Sequence, residues 1–395
     1  MRYYDTVYAR HCNGGWELPP ILERLSHTVE AVRARGITQA VMPNHLIAHG
    51  PIPNRFQHGM GVAFLTWLML RKNPILAEHS NLFLASALMH DWGLPCLSHL
   101  PECFLEKLTG MNGKSFLEYI LERSCDAIAV LKEFGVDYRD VVKLVTGNFG
   151  PLGTVLKGSM DLDKLDNVLR YALAVSCRGR KPNVIEIAAS FRFNGEEWVL
   201  LDRCFGSVKR WQAARNAVYS KIYEQPHLSP ATMIFRAIDL AYRKGYIDIN
   251  FFLMNDDEAI TYLASCDERT STLVQRAIYW NWYEEIFSVE SPYANSVIGQ
   301  LAKDGGNTGE VADSICEELG LELEDVCVYI DKGSEKRRVT VPFVSADGEK
   351  MFFDGSNNGS AYRFKVFANP ELAPAKLNRV RSLANKIVSG DTPIV

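Results

Sequence analysis

The chain has 395 residues, 47% hydrophobic and 23% charged, a soluble globular composition that excludes fibrous and disordered classes. Its formal net charge of −4 argues against a globally basic nucleic-acid-binding protein, so an anionic substrate must be met by a local basic pocket. Nine cysteines without a CxxC pair point to a reduced, cytoplasmic protein. No signal-peptide core opens the sequence, and the longest apolar stretch, near Gly61 to Leu70, is too short for a bilayer.

Taken in chain order, residues 19–35 read as an amphipathic helix with proline at its start, followed by a Pro/Asn/His/Gly loop from Pro43 to Asn54. Helical patterns run over roughly 55–72, 77–91, 98–109, 114–134, 137–146 and 159–178. Val184 to Ile187 and Trp198 to Leu201 flank Asn194-Gly195, a hairpin signal. Helices resume over about 206–224, 229–244, 256–266 and 270–286, then a helix at 309–319 precedes alternating strands near 326–330, 338–343 and 362–367. Turns are expected at Asp347-Gly348 and at Gly355 to Gly359. The expected fold is mainly α: a helical body over 1–288 with a small hairpin insertion, and a C-terminal α+β region over 289–395.

Chemistry is carried by polar residues inside apolar helical patterns. His90-Asp91 closes the run Leu82 to Met89, and His58 opens the apolar helix Gly59 to Leu70. An imidazole and a carboxylate there cost several kcal/mol of desolvation unless paired or metal-bound. Asp163 lies in the acidic stretch Asp161 to Asp166. Two imidazoles and two carboxylates form a donor set suited to one divalent Zn, Mn, Fe, Co or Ni ion, with Mg also compatible.

Three segments resemble the HD superfamily of metal-dependent phosphohydrolases: Asn54-Arg55-Phe56-Gln57-His58-Gly59-Met60-Gly61-Val62, His90-Asp91-Trp92-Gly93-Leu94-Pro95-Cys96-Leu97-Ser98-His99 and Asp161-Leu162-Asp163-Lys164-Leu165-Asp166. They are most similar to the dNTP triphosphohydrolase (dGTPase-like) branch, with its N-R-F-x-H-S-x-G-V, H-D-x-G-H-x-P-F-S-H and D-x-D-x-x-D-Y texts. The resemblance implies metal ligation by His58, His90, Asp91 and Asp163. Asp161 competes for the last place, because residues two apart on a helix point about 200° from each other. It further implies phosphate binding by Arg55, Lys164 and Arg215, a sugar contact by Tyr223, and homo-oligomeric assembly.

The pattern also departs from that branch. Leu94 stands where a histidine is usual, and Gly110 to Ser115 supplies none where a second is expected. No histidine occurs between His99 and His227, which argues against a two-metal site. Asn167 and Tyr171 replace the residues that read the sugar. His99 and Glu102 remain as candidates for proton transfer. The expected activity is metal-assisted hydrolysis of a nucleotide or other phosphorylated small molecule, with a (deoxy)nucleoside triphosphate first. The alternatives are a different HD-type nucleotide phosphatase and a nucleotide-binding sensor that does not turn over. Lys209-Arg210 and Lys336-Arg337-Arg338 are short basic clusters that solvated faces explain as well as nucleic acid does.

Overall fold

The computed structural model describes residues 1–11, 15–40, 52–175, 182–222, 224–293, 296–303, 308–331, 339–355 and 362–390. Most of the 43–54 loop, Tyr223, the Gly355 to Gly359 turn beyond its first residue, and Lys336-Arg337-Arg338 lie outside them.

A two-stranded ribbon, β1 (Arg2–Tyr3) and β2 (Trp16–Glu17), leads into α1 (Pro20–Leu25) and α2 (Val29–Arg35). These two helices replace the single one expected over 19–35. The Ser26 hydroxyl donates back to Leu22 O at 2.6 Å, and the Thr28 side chain caps α2 by accepting from Ala31 N. Next come α3 (Arg55–Leu70), α4 (Ser80–Met89), α5 (Glu102–Thr109), α6 (Gly113–Arg123) and α7 (Cys125–Glu133). The split between α6 and α7 falls at Ser124, which caps α7. Then follow α8 (Tyr138–Thr146), α9 (Leu162–Ala174), α10 (Val184–Ala188), β3 (Phe191–Phe193), β4 (Trp198–Leu201) and α11 (Phe205–Ile222). The second half contains α12 (Gln225–Arg243), α13 (Ile249–Leu253), α14 (Asp256–Cys266), α15 (Glu268–Ile278), β5 (Glu284–Ser291), α16 (Val297–Lys303) and α17 (Thr308–Leu319). It ends with β6 (Val326–Ile330), β7 (Thr340–Val344), β8 (Lys350–Asp354), β9 (Tyr362–Ala368) and α18 (Pro374–Ser389).

The architecture is mainly helical with small sheets, as expected. The hairpin is present but displaced: Val184–Ala188 is helical because Asn183 caps it at Glu186 N, and β3 supplies the first strand. Asn194 Oδ1 accepts from the backbone N–H of Glu196 and Glu197, making a four-residue connection between Phe193 and Trp198. The helix expected to reach residue 286 stops at Ile278, and β5 begins at Glu284, pairing antiparallel with β9. The expected boundary at 288/289 therefore falls inside a strand. The hairpin is also not isolated, since β4 pairs in parallel with β7 in the sheet β3-β4-β7-β8.

α3 positions the site. It is buried along most of its length, which is why its sequence is apolar on nearly every face. Gly59 lets it lie directly against α4: a Cβ there would stand 2.5 Å from Leu88 O. Val62, Phe64 and Leu65 of α3 share one core with Phe83 and Leu88 of α4, Leu165 of α9 and Phe343 of β7. A second core gathers α5 and α12 to α15, and a third packs α16 to α18 on the sheet β5-β9-β6.

Candidate metal centre

Asn54 and Gln57 form a capping box at the start of α3, so His58, one residue further in, is free of capping duty. Its ring is fully buried. Nδ1 donates to Asp166 Oδ2 at 2.6 Å, and because an ionised carboxylate only accepts, Nε2 is left with its lone pair outward. His90 ends α4, and its Nδ1 donates to Ala87 O at 2.8 Å. The two Nε2 atoms meet 3.2 Å apart. Asp163 Oδ1 lies 3.0 Å from His58 Nε2 and 3.7 Å from His90 Nε2. Asp91 Oδ2 lies 3.4 Å from His90 Nε2 and 3.7 Å from His58 Nε2.

His58, His90 and Asp163 form a group that could hold a metal ion. Two imidazole nitrogens with both Nδ1 protons committed elsewhere hold either a shared proton or a cation. At a separation of 3.2 Å, each about 2.1 Å from one ion, they subtend about 100°, between octahedral and tetrahedral. The donor set therefore fits a divalent ion. Asp91 is drawn aside by Arg55, whose Nη1 donates to Asp91 Oδ2 at 2.6 Å.

The two aspartates point in different directions from α9. Asp161 is the N-cap of α9, accepting from Lys164 N at 2.7 Å and from Gly158 N at 3.0 Å, while Asp163 points at the histidines. Burial pushes the Asp161 carboxyl up, against the pull of Lys164. Burial acts on Asp163 in the same sense, but the neighbouring imidazoles of His58 and His90 outweigh it and hold its carboxyl well below the usual range. Burial also disfavours a charged His90; Asp91 and Asp163 reverse that and raise it to about 9.

Arg55 is buried and spans three elements of structure. Besides Asp91, it donates from Nε to Ser98 Oγ at 2.8 Å and from Nη2 to Gln39 O at 2.9 Å. Its guanidinium thus binds the His90-Asp91 turn, the loop before α5 and the segment before α3 together. Lys164 donates to Gly158 O at 2.8 Å and pairs with Asp161. Arg215 of α11 is buried between the rings of Trp211 and Tyr219, close enough for its charge to act against that of Lys164. His99 Nδ1 donates to Glu102 Oε2 at 2.9 Å, and His99 is exposed. Among the described residues, this pair makes no hydrogen bond or ion pair to the histidine–aspartate cluster.

Several participants were not singled out from the sequence. Asp166, the third aspartate of its motif, sets the orientation of His58; its signal was its place three residues after Asp163, on a neighbouring helix face. Gly61 makes room for it, because a Cβ would come within 2.7 Å of Asp166 Cγ and closer still to Arg170. Leu97 and Ser98 both adopt left-handed backbone (φ 57° and 61°), held by Asp256 accepting from Leu97 N at 2.6 Å and by Arg55 on Ser98. The Gln39 side-chain amide is buried beside Arg55 with no hydrogen-bond partner among the described residues.

No family model matches this chain, and no curated protein matches it. Solved structures do. A hypothetical protein from Aquifex aeolicus superposes with a TM-score of 0.72 at 16% identity, covering 96% of this chain and 99% of that one. A phosphohydrolase from Bacteroides thetaiotaomicron VPI-5482 superposes with a TM-score of 0.67 at 16% identity, covering 93% and 99%. At that identity the likeness is one of fold, and it extends over nearly the whole chain. No helix among the described residues is long and apolar enough to cross a membrane.

Proposed function

We propose that this protein is a metal-dependent phosphohydrolase acting on a nucleotide, with a (deoxy)nucleoside triphosphate as the first substrate to test. The observation that carries this reading is the convergence of His58 Nε2, His90 Nε2 and Asp163 Oδ1, with both Nδ1 protons already engaged. His58, His90 and Asp163, with Asp91 as fourth donor, would hold one divalent ion. Bound there, a divalent ion would supply Lewis acidity toward a phosphoryl oxygen and lower the pKa of water. Lys164, directly after Asp163, and Arg215 bring positive charge that a phosphate would neutralise. Arg55 orients Asp91 and adds its own charge behind it. His99 or Glu102, which pair with each other, would carry the proton in this scheme. The unpartnered Gln39 amide offers a donor and an acceptor to a ligand. The shared fold with a protein named a phosphohydrolase supports the hydrolase class.

A second reading, a nucleotide-binding sensor without turnover, is supported by the distance of the His99–Glu102 pair from the cluster in bonding terms. Metal analysis combined with a product assay over a panel of nucleotides separates the two. Bound transition metal with release of triphosphate is the expected result, and release of orthophosphate points instead to a phosphatase. Metal and nucleotide binding without product selects the sensor. Retention of both metal and turnover in His90→Ala and Asp91→Ala would refute the site.

A further inference from the structure

We infer that Tyr8, between β1 and β2, is a positioning residue for the His58 ligand, and that Asp5 acts to the same end through Arg170. This rests on the metal reading above. Asp166, which orients His58, is fully buried and takes three donors. His58 Nδ1 and Arg170 Nε both reach its Oδ2 at 2.6 Å, and the Tyr8 hydroxyl donates to its Oδ1 at 2.6 Å. Arg170 in turn donates from Nη2 to Asp5 Oδ2 at 2.6 Å. A chain of buried hydrogen bonds thus runs from residues 5 and 8 to a proposed metal ligand, bridging 158 residues of sequence between Tyr8 and Asp166.

The donors fix the carboxylate in two ways. Arg170 and His58 crowd one oxygen, and among the described residues Tyr8 is the donor that anchors the other. Without the Tyr8 hydroxyl, Oδ1 is a buried acceptor with nothing to accept, and the carboxylate turns toward the donors that remain. The imidazole that follows it is then displaced. The ring of Tyr8 already packs against Phe64, with centroids 5.0 Å apart, so packing explains the ring and leaves the hydroxyl to the carboxylate. Partners that orient metal-bound histidines typically control metal affinity by 10–100-fold.

The test is Co(II) titration of the full chain, reading the dissociation constant and the visible ligand-field bands. Tyr8→Phe keeps the ring and is expected to raise the dissociation constant about 10-fold and shift the bands. Phe64→Leu loosens the same packing without touching the hydrogen bonds, and is expected to lower Tm while leaving Co(II) affinity within about twofold. Unchanged affinity and bands in Tyr8→Phe overturn the inference. Failure of the wild-type chain to bind Co(II) overturns the metal reading itself, a separate outcome. If Tyr8→Phe does not fold, Asp5→Asn takes its place, with a weaker rise in dissociation constant and a band shift expected; no change in either overturns the inference.

Discussion

Gly61→Ala puts two opposing effects in direct competition. Glycine inside a helix costs about 1 kcal/mol relative to alanine, so propensity alone makes this substitution stabilising. The packing says the reverse. The new Cβ would lie 2.7 Å from Asp166 Cγ, against an ordinary carbon–carbon separation of about 3.5 Å or more, and nearer still to Arg170 Nη2. Neither group is a free side-chain end, because Asp166 holds His58, Tyr8 and Arg170, and Arg170 holds Asp5. Relief requires α3 and α9 to part or the buried ion pair to break, and breaking such a pair costs about 3–5 kcal/mol. Subtracting the propensity gain leaves a net loss of about 2–4 kcal/mol. At an unfolding entropy of about 2.1 cal/mol/K per residue, a chain of 395 residues shifts by about 1.2 °C per kcal/mol, so Tm should fall by roughly 2–5 °C. Thermal unfolding followed by circular dichroism measures it, and a repeat with added metal should show a smaller metal-induced rise than wild type. A Tm equal to or above wild type would mean that the Asp166 cluster does not constrain α3 as argued.

Three further outcomes are expected. His99→Ala should lower kcat by about 100-fold while metal content stays unchanged, checked by steady-state assay and metal analysis; loss of metal would place His99 in the wrong role. Arg215→Lys, which keeps the charge but loses the planar fork, should weaken nucleotide binding about 10-fold in a fluorescence titration, whereas unchanged affinity removes Arg215 from the phosphate site. Burial pushes the Cys204 thiol up to about 11 and the Cys316 thiol up to about 12, while Cys125 is exposed. At pH 8 only about 0.1% of a thiol titrating at 11 is thiolate, and that fraction grows tenfold per pH unit until about pH 11. Peptide mapping after native alkylation should therefore show Cys125 modified before Cys204 and Cys316, with Cys204 following only as pH rises; equal rates for Cys125 and Cys204 at pH 8 contradict the burial argument.

The histidine–aspartate cluster was legible because its residues break the apolar rhythm of helices that are otherwise hydrophobic all round, as His58 does in α3 and His90-Asp91 at the end of α4. Contacts at long range were not legible. Nothing in the spacing of Asp5, Tyr8, Asp166 and Arg170 announces that they meet, since their proximity comes from how the β1–β2 ribbon folds over α3. Local competition explains the misplaced elements. Val184, Ile185 and Ile187 are β-branched and apolar, yet the Asn183 cap and burial against α3 and α11 make the stretch a turn of helix. Thr28 and Ser124, which fall inside the single helices expected over 19–35 and 114–134, instead cap new ones.

The parallel pairing of β4 with β7 makes the last quarter of the chain hard to detach. A protein ending at residue 288 would cut β5 and remove Val341, Phe343 and Phe353, which are buried in the same core as α3 and α4. It would also leave Leu200 and Leu201 on an open sheet edge, where they now face Phe343 and Val344. Bare apolar edges recruit other chains. Shortening this protein to its helical body would therefore trade a folded chain for an aggregating one, with the core shared by α3 and α4 opened where Val341, Phe343 and Phe353 now pack.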